Sequence, residues 1–147
     1  MRTKNLLTLP ALALLVSLPA LAHDGVQNPA VMARMEGMSG IAQSMKTLGQ
    51  MAKGALDFDA EIARQAAESA AQHAAMIPDL FAEPEDDPKS EALPAIWENF
   101  DRFSAIAADL EKAALAASQT ISAPRDLGSA MQSMGASCKS CHSDFRK

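Results

Sequence analysis

Between residues 29 and 53, apolar side chains recur at steps of three and four: Met35, Met38, Ala42, Met45, Leu48 and Met51 or Ala52. That period gathers them into one stripe along a helix, and the stripe faces a core. Gly54 follows as a C-cap, where glycine takes the left-handed conformation without a Cβ penalty. A second helix is predicted from Asp57 to Asp59, whose acids suit a helix N-terminus, through Ile62, Ala66, Ala70, His73 and Ile77. Pro78 is placed to stop it. Residues 83–94 read as a proline- and acid-rich loop, with Asp86 and Asp87 in solvent. A third helix opens at Pro94 and carries Ile96, Trp97, Phe100, Phe103, Ala107, Leu110 and Ala114 in a heptad-like seam. Trp97 is its core or interface anchor. Ser122-Ala123-Pro124 begins the fourth, with Ser122 as cap and Pro124 in the first turn. Its seam runs Leu127, Met131, Met134, Cys138, Cys141 and Phe145.

Four such helices joined mostly by short links predict an all-α fold, an antiparallel four-helix bundle. Composition agrees: the chain is alanine-rich, has no tyrosine, and contains no alternating strand-like run. Large apolar residues are sparse in the helices, so the protein core alone is thin.

Residues 1–22 carry Arg2 and Lys4, then an apolar run from Leu6 to Leu21 broken by Pro10 and Pro19. The run ends Ala20-Leu21-Ala22, the small-residue pattern of a cleavage site, and is too short and proline-broken for a good membrane span. It reads as a secretory signal, which makes residues 23–147 one domain and predicts a periplasmic protein with no stable membrane insertion. The formal net charge of −5 becomes −7 once Arg2 and Lys4 leave with that leader. An acidic surface argues against nucleic acid as a partner and leaves protein partners with a basic patch.

The chemistry sits near the chain end, in Cys138-Lys139-Ser140-Cys141-His142. In a C-x-x-C-H pattern two thiols can add across the vinyl groups of a haem, and the adjacent imidazole can bind its iron. The spacing puts both cysteines on one helical face. Two other readings use the same residues. A redox dithiol would need a βαβ context that this chain lacks, and a four-ligand zinc site would need His23 and His73 in addition. His73 is read as surface or interhelical and His23 as an exposed terminus. Nothing in the sequence pairs carboxylates for catalysis.

A secreted four-helix bundle with C-x-x-C-H on its last helix resembles the class II c-type cytochromes: the cytochromes c′ and their low-spin relatives of the c-556 type. The segments carrying the resemblance are 135–146 around the motif, Leu93-Pro94-Ala95-Ile96-Trp97, and Ala52-Lys53-Gly54 followed by Phe58-Asp59. It implies one haem c attached at Cys138 and Cys141, with His142 as proximal iron ligand. It implies that Arg146 lies near that imidazole and Arg34 near the haem propionates, where a planar guanidinium suits a carboxylate. It also implies redox partner proteins, no enzymatic activity, and a homodimer through the first two helices as one assembly. The residue facing the open side of the iron aligns with Met38. If its thioether ligates, the protein is a six-coordinate carrier of single electrons, with Met35, one turn earlier, the next candidate. If Met38 only fills space, the protein is a five-coordinate cytochrome c′ that binds NO or CO. A peroxidase reading finds no distal His/Arg pair.

Overall fold

A computed structural model describes residues 25–147. The leader, its cleavage site and His23 lie outside the described residues. Helix α1 (Pro29–Ala52) starts where the Asn28 side-chain oxygen accepts from the N–H groups of Ala30 at 2.8 Å and Val31 at 3.3 Å. Pro29 stands in the first turn, where its missing donor costs nothing. The helix stops at Gly54, whose φ of 70° few other residues adopt. Helix α2 (Ala60–Leu80) is capped by Asp59, which accepts from Glu61 at 2.8 Å and Ile62 at 3.0 Å.

Three local expectations need correction. Pro78 does not end α2, which runs two residues further, because a proline in the last turn forfeits little. The buried face of α2 is Ala63, Ala67, Ala70, Ala71, Ala74 and Ile77, so Ile62 points outward and is 47% exposed. A face of alanines brings α2 close to its neighbours, and a branched side chain at 62 would hold them apart. The third predicted helix is two: a single turn, α3 (Ala95–Glu98), and the long α4 (Phe100–Thr120), separated at Asn99 with φ −134° and ψ 44°. The Trp97 indole Nε1 donates to the Phe81 carbonyl at 2.8 Å, which fixes α3 against the end of α2.

Helix α5 (Asp126–Phe145) has no side-chain cap: Ser122, predicted to cap it, lies four residues before its start and is bound by the helix's first residue instead. The Asp126 carboxylate accepts from the N–H groups of Ser122 at 2.9 Å and Ala123 at 2.8 Å, and from the Ser122 hydroxyl. Those bonds hold the Asp126 carboxyl below its usual range. A carboxylate completes the turn better than a hydroxyl because its acceptor is charged.

The four long helices form a bundle, as predicted. α2 packs extensively on α1 and α4, and α4 on α5; α1 and α5 touch over a shorter stretch and leave a gap. The protein core is built from Leu48, Ile96, Phe103, Ile121, Leu127 and Met134 among the alanines. Phe103 anchors it, with ring centroids of Phe81 at 5.1 Å and Phe145 at 5.4 Å. Among the described residues, no helix is long and apolar enough to cross a membrane.

Candidate cofactor site

The gap between α1 and α5 is a cavity of about 550 Å³, within the ~300–1,000 Å³ of small-molecule and cofactor sites. α5 contributes Cys138, Cys141 and His142 to its wall, and α1 contributes Met35, Met38 and Met45. Ile41, Ile77, Phe103, Ile106 and Leu110 supply apolar lining, and Arg34, Glu91 and Arg146 supply charge. The helical period explains the α1 wall. Leu48 and Met51 of the predicted stripe enter the protein core, whereas Met35, Met38, Ala42 and Met45 line the cavity together with Val31 and Ile41. Of the sequence-predicted site residues, Cys138, Cys141, His142, Met38, Arg34 and Arg146 all line this one space. His73 does not: it lies half-buried between α1 and α2, its Nδ1 2.7 Å from the Ser69 carbonyl, with its ring against Gly40.

The donors have the protonation that suits a covalent haem better than a dithiol catalyst. Burial pushes both thiols up, Cys141 to about 11 with help from Cys138 and Asp144. Reactive redox cysteines need the reverse, a stabilised thiolate. No disulfide joins the two cysteines. Burial, then Arg146, lowers the pKa of His142 against an opposing pull from Glu91, so the imidazole is neutral at pH 7 with a lone pair for a metal. Among the described residues, no group of three or more His, Cys, Asp or Glu is placed to hold a metal ion, and His73 lies away from the motif. Soft sulfurs, one imidazole and an apolar enclosure fit an iron macrocycle.

The charged rim is more organised than the sequence suggests. Arg34 is buried, and it donates through Nε to the Leu80 carbonyl (2.9 Å) and through its terminal nitrogens to the carbonyls of Glu85 (2.7 Å) and Glu83 (2.5 Å). Its guanidinium carbon lies 4.8 Å from the Phe81 ring centre and 5.4 Å from that of Trp97. Asp87 is not a solvated acid either. It is 6% exposed and accepts from the N–H groups of Gln27 (2.9 Å), Asn28 (3.0 Å) and Lys89 (2.8 Å), which hold its carboxyl below the usual range. The 83–90 loop is therefore tied to α1 from both sides. Glu91, which the sequence did not single out, pairs with Arg146 at the rim. Glu91 lies 55 residues from its partner, so no local pattern marks it. A second groove, about 480 Å³ between α4 and α5, is lined by Asp109, Lys112, Thr120 and Asp126 among small residues and holds none of the predicted ligands.

Comparison with known proteins agrees with this arrangement. The family model for cytochrome c′ matches residues 29–146. The chain is 41% identical to cytochrome c-554 of Cereibacter sphaeroides over 95% of its own length and 97% of that protein's. It is 39% identical to a cytochrome c-556 of Agrobacterium tumefaciens, over 74% of this chain and 89% of that one. Among solved structures, cytochrome c′ from Rhodopseudomonas palustris superposes with a TM-score of 0.76 at 30% identity, covering 82% of this chain and 98% of that one. With the bundle, the cavity and its donors in place, the chain belongs to the cytochrome c′ family, haem-c proteins that carry electrons or bind gases rather than catalyse.

Proposed function

We propose that this chain is a periplasmic carrier of single electrons, with haem c attached at Cys138 and Cys141 and iron held between His142 and Met38. The observation that carries the reading is the convergence of one imidazole from α5 and a thioether from α1 on the same cavity. The relatives named cytochrome c-554 and c-556 support it, and the leader read at residues 1–22 supports export. Bound haem supplies an iron that alternates between ferric and ferrous states. The chain does the rest. His142 offers a neutral imidazole, and Met38 closes the other side with a polarisable sulfur that favours the reduced state. Ile41, Phe103 and Leu110 line the cavity and would keep water from a bound haem. Held by side chains of two packed helices, its iron would gain or lose an electron with little rearrangement.

Arg34 lines the same cavity and is the cation suited to a propionate, in addition to holding the 83–90 loop; Arg146 is the cation beside the imidazole. The partners are redox proteins, and the resemblance implies a homodimer through the first two helices as one assembly. A second reading has its own observation: Met35 and Met45 share the α1 wall, so a methionine beside the cavity need not be a ligand. In that case His142 alone binds the iron and the open side admits NO or CO. Met38→Ala separates the two. Under the six-coordinate reading the ferrous variant binds CO where the parent does not. Identical CO behaviour in parent and variant contradicts ligation by Met38.

A further inference from the structure

We propose that Glu91 is the positioning residue of the His142 face, holding Arg146 beside the imidazole and offsetting its charge. This rests on His142 being an iron ligand, as read above, but not on the ligand opposite it. Glu91, Arg146 and His142 line one stretch of the cavity. The Arg146 Nε donates to Glu91 Oε2 at 2.6 Å, and a terminal nitrogen of the same guanidinium pairs with the same oxygen. Both side chains are about half exposed, and an isolated pair of that kind contributes little. This pair is not isolated, because the backbone brings its partners together.

The Lys147 N–H donates to the Glu91 carbonyl at 2.9 Å and the Leu93 N–H to the Phe145 carbonyl at 3.0 Å, with Ala92 facing Arg146 in an antiparallel bridge. The Lys147 ammonium adds a bond to the Ser90 carbonyl at 2.9 Å. Segment 90–93 is thus laced to the chain end, and the ion pair forms with little further ordering of the main chain. The nearby acid Asp144 is engaged elsewhere, in a pair with Arg102 of α4. Both charges of the Glu91–Arg146 pair line the same cavity as His142 and so act on that side chain through space. The same fields act on a metal bound to that imidazole. A cation there favours the ferrous state and raises the midpoint potential, and an anion does the opposite.

The test is a double-mutant cycle on the haem-loaded protein: midpoint potentials of the parent, Glu91→Gln, Arg146→Gln and the double variant, with an optical spectrum of each. In the parent background, Arg146→Gln lowers the potential. In the Glu91→Gln background the guanidinium has lost its anchor, so the same substitution shifts the potential by less than about half as much. Equal shifts in both backgrounds, or no shift in either, overturn the proposal. The spectra keep the two readings apart. A parent spectrum without an imidazole-ligated haem removes the ligation reading and this proposal with it, whereas normal spectra with an additive cycle remove the role of Glu91 alone.

Discussion

Arg34 shows how much a single side chain does in this protein. Burial pulls its pKa down and Glu85 and Asp86 oppose the fall, so the charge is kept where it would otherwise be costly. Three carbonyls and two aromatic faces share one guanidinium, an arrangement that needs a planar fork. Arg34→Lys puts a point charge there, which cannot reach three diverging carbonyls or stack between rings. It is expected to cost about 2–3 kcal/mol, read by urea unfolding, because buried acceptors are left unpaired. A loss below about 0.5 kcal/mol would show that the lysine satisfies the site. The residues that line the cavity were legible where their signal is local, as in the short motif of Cys138, Cys141 and His142; Met38 came from the resemblance, since the stripe alone offers Met35 and Met45 as well. Glu91 and the burial of Asp87 were not, because Arg146 for the one, and Gln27 and Asn28 for the other, are 55 or more residues away.

At the scale of elements, hydrophobic period located the four long helices but not the interruption at Asn99. The seam from Ile96 through Phe100 to Phe103 keeps helical spacing across the break, and the cause of the break is tertiary: Trp97 is drawn to the Phe81 carbonyl. Nor does the period show how closely two helices meet. α1 and α2 meet closely where the His73 ring lies against Gly40, so close that a methyl group at 40 would collide with it. The ring has little freedom to yield while its Nδ1 is held at the Ser69 carbonyl. Gly40→Ala should therefore destabilise by about 1–3 kcal/mol, as overpacking does. Adding His73→Ala should recover most of that loss. A double variant no more stable than Gly40→Ala would mean that the cost arises elsewhere, and thermal unfolding of the three variants decides it.

For the whole molecule, the loop between α2 and α3 is the part most exposed to acid. Asp87 has a depressed pKa because three backbone N–H groups bind its carboxylate. A carboxyl whose folded pKa lies below its unfolded value stabilises fully above the unfolded pKa, and that contribution is lost as pH falls through the folded one. Asp126 follows the same sign at the start of α5. Stability should thus decline below about pH 4, the ordinary carboxylate range, with the 83–90 loop loosening early. Asp87→Asn lacks the titrating group and should flatten the acid limb of the stability–pH curve; an unchanged limb would remove Asp87 from the account. The loop matters to function because it ties α1 to segment 90–93, and through that segment to the chain end beside His142. The cavity is therefore held open on the side where α1 and α5 do not meet.

The central claim is that two protein ligands, His142 and Met38, hold the iron. The most direct measurement is the optical spectrum of the purified haem protein, ferric and ferrous, before and after addition of CO. Ligation by both side chains gives low-spin spectra in both states, a weak far-red methionine-to-iron band in the ferric protein, and no response to CO. High-spin spectra with a Soret band shifted by CO would contradict it, return Met38 to packing, and make this chain a gas-binding cytochrome c′.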